Sequence, residues 1–134
     1  MVSKIDNALA FQEKALGLRA FRQQILAGNI ANADTPNFKS RDFDFSTALK
    51  EAVAGRSGGT LQMTTTDSQH LSSGAESGPA RLMYSTPSQS SVDGNTVDMD
   101  IERGKFAENA VNYEAGLTFV SQQLKMLMAA TQGT

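Results

Sequence analysis

The 134-residue chain has no cysteine and one histidine. Without cysteine there is no disulfide, no thiolate zinc site and no thiol nucleophile. Such a chain suits any compartment and would be spared stray oxidation if exported. His70 alone supplies neither a metal cluster nor a Ser-His-Asp site, and a lone loop histidine is far more often structural than chemical. No apolar run comes near the ~18 residues that suggest a membrane span, so no direct span is expected. The net charge of −2 sets up no bulk field for nucleic acid or an anionic membrane. Phosphate-cradling glycine loops are missing, and Gly58-Gly59 sits in a linker. The start, Met1-Val2-Ser3-Lys4-Ile5-Asp6-Asn7, has neither the apolar stretch nor the cleavage site of a secretory signal, which taken alone predicts a cytoplasmic chain. One acidic run, Asp93-Gly94-Asn95-Thr96-Val97-Asp98, superficially resembles a calcium loop. It fails in detail, with Val97 at the fifth position and no glycine at the sixth. No cofactor, metal or catalysis is expected.

What the chain does have is concentrated at its ends. A first helix is predicted over about 3–33, with Ser3 or Asp6 as caps. At about 100° per residue, Ile5, Leu9, Leu16 and Ile30 fall on one side, and Phe11, Leu18, Phe21 and Ile25 on another. So wide an apolar arc must touch more than one neighbour. Pro36 ends the helix and biases Thr35 toward an extended conformation. Asn29 and Asn32 share a face near the Phe11/Leu18/Ile25 side; they either fix register as buried polar residues on a seam or simply terminate the helix. Toward the C-terminus, Phe106, Tyr113, Val120 and Leu127 are spaced by seven, with Ala110, Leu117 and Leu124 at the alternate positions. This heptad pattern predicts coiled-coil packing, with Asp98 or Asp100 as cap.

Between the helices, 21 of the 44 residues from Gly55 to Asp98 are Gly, Ser or Thr, too polar for a core of their own. A short helix is expected from Phe43 to Val53, and short strands at 60–64 and 81–84. The predicted organisation is an N-terminal core helix at 1–34, a Ser/Thr/Gly-rich middle at 35–98 and a C-terminal heptad helix at 99–134. The fold class is mainly α, with the two long terminal helices paired as a coiled coil and a polar, partly irregular middle containing short strands. Polar material between two amphipathic ends also suggests assembly with copies of itself. The alternative is a self-contained cytoplasmic helical bundle acting as an export chaperone or adaptor.

The stretch Leu26-Ala27-Gly28-Asn29-Ile30-Ala31-Asn32-Ala33-Asp34-Thr35-Pro36-Asn37-Phe38 resembles the N-terminal signature of the flagellar axial (rod and hook) protein family. Arg41-Asp42-Phe43-Asp44-Phe45, Thr66 with His70-Leu71, and Asp93 through Glu102 resemble further motifs of its proximal rod subunits. The resemblance spans nearly the whole chain and is weakest at 52–65 and 72–90.

It implies a structural subunit of the bacterial flagellar proximal rod on the periplasmic side of the inner membrane, linking the membrane ring to the rest of the rod and transmitting torque for motility. It also implies an assembly motif of Asn29, Ile30, Asn32, Thr35, Pro36 and Phe38. The implied neighbours are copies of itself, other proximal rod subunits and the rod adaptor protein at the membrane ring, with the rod-associated muramidase as a further candidate. Export would use the flagellar type III apparatus, whose substrates carry no cleaved signal peptide, and Phe11 with Ala15 matches its Phe-x-x-x-apolar export element. That replaces the cytoplasmic expectation.

Overall fold

The computed structural model describes residues 2–55, 78–86 and 91–132. Two long helices, α1 (Val2–Ala31) and α3 (Met99–Gln132), form an antiparallel hairpin, with a short helix α2 (Phe45–Val53) between them in sequence. Two-residue strands β1 (Arg41–Asp42) and β2 (Met83–Tyr84) pair antiparallel, Arg41 opposite Tyr84 and Asp42 opposite Met83. No described helix is long and apolar enough to cross a membrane. At about 1.5 Å per residue the hairpin is about 45 Å long.

The expected ends of α1 shift slightly. The helix already includes Val2, so neither Ser3 nor Asp6 stands at an N-cap, and it gives way to turns after Ala31. At α3 the choice between two caps resolves to Asp98, whose Oδ1 accepts from the backbone N–H groups of Asp100 (3.1 Å) and Ile101 (3.2 Å). Asp44 does the same for α2, accepting from the Ser46 N–H at 3.0 Å and from the Thr47 hydroxyl at 2.6 Å. Those bonds hold the Asp44 carboxyl below its ordinary pKa, the Thr47 hydroxyl contributing most. The strand expected at 81–84 is reduced to Met83–Tyr84, and its partner β1 lies in a stretch with no alternation to announce it. The strand expected at 60–64 lies outside the described residues, as does His70.

The wide apolar arc of α1 is shared between two neighbours. On one side Leu18 packs with Phe43, Ala48 and Ala80, surrounded by Phe21, Ile25, Phe45, Leu49, Ala52 and Leu82. Phe21 and Phe43 stand tilted with ring centroids 5.8 Å apart, and the Arg19 guanidinium lies 4.4 Å over the Phe45 ring. On the other side α1 faces α3. Leu26 is fully buried. The apolar core is therefore small and lies on the face of α1 away from α3, where α2 and the segment at 78–82 close over it.

With so few buried apolar side chains, each one matters. Phe43→Ala is expected to destabilise the chain by about 3–5 kcal/mol, read as a lowered midpoint in urea unfolding followed by circular dichroism.

Candidate functional site at the helix junction

The turn that ends α1 is built from its own side chains. The Asn32 amide Nδ2 donates to the Gly28 carbonyl at 2.8 Å, and its Oδ1 accepts from the Thr35 hydroxyl at 3.1 Å. Asn37 then adopts a left-handed backbone with φ of 60°, a conformation asparagine tolerates better than most residues. Its N–H donates to the Asp93 carbonyl at 2.9 Å, and the Thr96 N–H donates to the Phe38 carbonyl at 3.0 Å. The Ser40 N–H donates to Thr96 Oγ1 at 2.8 Å. The chain leaving α1 thus runs beside the chain entering α3.

Asn95 closes this clasp. Its side-chain amide points into three carbonyls of the turn that follows α1, lying 3.0 Å from Asn32 O, 2.6 Å from Ala33 O and 3.0 Å from Thr35 O. Its Oδ1 accepts from the Val97 N–H at 2.8 Å. Asn32 O and Thr35 O also accept from the Thr35 and Phe38 N–H groups within the turn, and a residue some 60 positions away adds the further donor. Gly94, with φ of 73°, makes the close approach feasible, because a Cβ there would stand 2.6 Å from Asn37 Oδ1. The acidic run that superficially resembles a calcium loop is thus a turn held by its own first residue. Asp93 Oδ1 accepts from the Asn95 N–H at 3.2 Å, and this bond, with help from the Ser91 hydroxyl, lowers the Asp93 pKa.

One helical turn further inside, Asn29 is 2% exposed and uses every polar atom of its side chain. Nδ2 donates to the Arg41 carbonyl (2.7 Å) and to Glu102 Oε2 (2.9 Å), and Oδ1 accepts from the Arg41 N–H (3.1 Å). Glu102, 3% exposed, also accepts from Lys105 Nζ at 3.1 Å. Lys105 reaches Asp42 at 3.8 Å, and Asp42 receives both Arg22 Nε (3.0 Å) and Nη2 (2.8 Å). This fork raises the Arg22 pKa. The result is one chain of polar contacts through α1, β1 and α3. It can hold three segments in a fixed relation. Among the described residues no group of three or more acidic or histidine side chains could hold a metal ion.

The residues singled out from the sequence are distributed as follows. Asn29, Asn32, Thr35 and, through its backbone, Phe38 join the clasp; Ile30 is half-buried and Pro36 is exposed. Leu16, Leu18, Phe21 and Ile25 are buried or half-buried, as is Ala15, whereas Phe11 is 43% exposed. On α3, Phe106, Ala110, Tyr113, Val120 and Leu127 are half-buried. Leu117 and Leu124 are 46% and 43% exposed. The positions beside α1 are instead Glu102, Asn109, whose Nδ2 donates to Arg19 O (2.9 Å) and Gln23 Oε1 (2.6 Å), and Gly116, which abuts Leu16. Arg22, Asp42, Asn95, Lys105 and Asn109 were not anticipated as site residues. Asn95 and Glu102 stood inside a recognisable motif, but Asn109 carried no signal beyond its spacing of seven from Glu102.

Residues 9–39, which contain most of α1 and its turn, match the family described as flagella basal body rod protein. Over its full length the chain is similar to proteins named flagellar basal body rod protein FlgB. Identity is 52% to that of Salmonella typhimurium, covering 99% of both chains, and 47% to that of Escherichia coli K12, covering 98% of both. The protein from Cereibacter sphaeroides is 38% identical, with 95% of each chain covered.

Two outcomes are expected at the clasp. Asn95→Leu strips a shared donor from three carbonyls and should lower stability by about 1–3 kcal/mol, read by thermal melting. The Asp93 carboxyl ionises more readily folded than unfolded, so its stabilisation is present above its ordinary value near 3.8 and is lost as pH falls through the lower folded value. Asp93→Asn should therefore flatten part of the acid limb of stability against pH below about pH 4, measured by urea unfolding across that range.

Proposed function

The chain belongs to the FlgB family of flagellar basal body rod proteins, and on that premise we propose how it does its work. It is a structural subunit of the basal-body rod. Within the rod it takes a place in the proximal segment on the periplasmic side of the inner membrane, joins the membrane ring to the rest of the shaft and transmits torque without catalysing a reaction. Its neighbours are copies of itself, other proximal rod subunits and the rod adaptor at the ring, with the rod-associated muramidase as a further candidate. It reaches them through the flagellar type III apparatus, with Phe11 and Ala15 as its export element. The relatives named above, all called rod proteins, lend nothing to a cytoplasmic chaperone or adaptor.

One observation supports this reading most. On α3, Ile101, Val111, Leu117, Phe119, Leu124, Met126 and Met128 are all 43% exposed or more. A helix so apolar and so open is at odds with a lone soluble bundle and suits a subunit whose surface is completed by neighbours. The turn motif and the clasp hold the hairpin in a defined shape, as a part transmitting torque requires.

The test uses a strain lacking the endogenous subunit. The intact chain should restore motility and be recovered by mass spectrometry in purified basal bodies; failure of both would end the rod assignment. Leu124→Asp should change folding stability by no more than about 0.5–1 kcal/mol, as for other surface substitutions, yet abolish motility because a charge would be buried between subunits.

A further inference from the structure

Two heptad lines on α3 share Phe106, Tyr113, Val120 and Leu127 and differ in what lies beside them. One line adds Asn109, Gly116 and Gln123, with Glu102 a heptad earlier; the other adds Ala110, Leu117 and Leu124. A roll of about 50° about the helix axis would exchange which line faces α1. Apolar burial alone would choose the leucines. The chain instead buries Asn109 to 1% exposure and Glu102 to 3%, while Leu117, Leu124 and Met128 stand 46%, 43% and 54% exposed. Asn109 Oδ1 is buried with no hydrogen-bond partner among the described residues. A helix set against its own hydrophobic preference, at the expense of a buried unpaired acceptor, is locally frustrated, and such conflicts concentrate where function demands them.

Three specific contacts hold the roll. Asn109 Nδ2 donates to Arg19 O at 2.9 Å and Gln23 Oε1 at 2.6 Å. Glu102 accepts from Asn29 at 2.9 Å and Lys105 at 3.1 Å. Gly116 leaves room for Leu16, whose Cδ2 would lie 2.9 Å from any Cβ there. Residues 102, 109 and 116 are seven apart, so all three act on one face.

We propose that Glu102, Asn109 and Gly116 are positioning residues that set the roll of α3 against α1 of the same chain and so aim the Ala110–Leu117–Leu124 line at α1 of a second copy. The proposal rests on the rod-subunit reading. A second helix is the occupant because the line has heptad spacing and shares its central residues with the existing α1–α3 seam, so a helix docked there continues that packed layer. Charge favours α1 for the role: it carries four Lys/Arg against two Asp/Glu, whereas α3 carries three against four.

The cysteine-free chain allows a direct test in full-length protein by mild oxidation of paired cysteines. Leu16→Cys with Gly116→Cys reports the observed roll, and Leu16→Cys with Leu117→Cys reports the alternative. In the parent background the first pair should cross-link about tenfold more than the second, given the narrow geometry a disulfide accepts. Asn109→Leu should shift that ratio toward the second pair, leave the thermal midpoint unchanged or higher, and abolish motility in the complemented strain. Glu102→Leu should shift the ratio likewise and Glu102→Gln, which can still accept from Asn29, should not; this comparison decides the matter if Asn109→Leu loses its helicity. Mixed chains bearing Leu124→Cys or Phe11→Cys should cross-link to each other. Cross-linking only between Leu124→Cys chains would overturn α1 as the occupant. Equal cross-linking of the two intramolecular pairs in the parent, or an unshifted ratio in both Asn109→Leu and Glu102→Leu, would overturn the roll assignment. A shifted ratio with normal motility would overturn its role in assembly. If the parent chain itself fails to restore motility, the rod reading falls, while the cross-linking ratio still reports the roll.

Discussion

The side chain of Asn29 is the contact on which the rest of the structure depends. It is buried in α1, pairs in both directions with the backbone of Arg41 in β1, and donates to the buried Glu102 of α3. One amide therefore fixes the separation of the two long helices and the path of the chain between them. Burying a carboxylate is costly unless it is paired and hydrogen-bonded; Glu102 has the Asn29 amide on one oxygen and the Lys105 ammonium on the other. Removing any one partner strands the remainder, which makes the junction specific even where its net contribution to stability is modest.

Around that contact the molecule divides its labour. The apolar core between α1 and α2 supplies ordinary hydrophobic stability, with Leu18, Phe43, Ala48 and Ala80 buried. The face of α1 toward α3 is much more polar, with Glu102 and Asn109 buried against it. Polar seams constrain orientation because hydrogen bonds are directional and apolar contacts are not. Asn95, reaching back to the carbonyls of the turn that follows α1, adds a second fixed point close to the first. A helical hairpin held at one end by directional contacts, and carrying bare apolar side chains along α3, has a definite shape and an incomplete surface. Both properties suit a structural subunit of the basal-body rod.

Much of this was readable along the chain. The helices, the end of α1 ahead of Pro36, the cap at Asp98 and the polar middle all follow from local chemistry: φ restriction, side-chain competition for backbone groups, and periodicity near 3.6 residues. The Asn-rich turn and the Asp93–Glu102 run were recognisable as motifs for the same reason, since each is shaped by bonds within a few residues, such as Asn32 to Gly28 and Asn95 to Asp93. That the two motifs grip each other was not visible. Nothing local in either one encodes a contact made across some 60 residues.

The same boundary runs through α3. Its heptad of Phe106, Tyr113, Val120 and Leu127 is a property of spacing and was legible at once. Which flank of that heptad meets α1 was not, because counting apolar residues favours Leu117 and Leu124 whereas the structure turns Asn109 and Gly116 inward. Periodicity specifies that a helix has a face. The direction in which the face points is decided by the groups opposite it: here the Arg19 carbonyl, the Gln23 side chain and the bulk of Leu16. Those groups become neighbours of α3 only once the hairpin has closed.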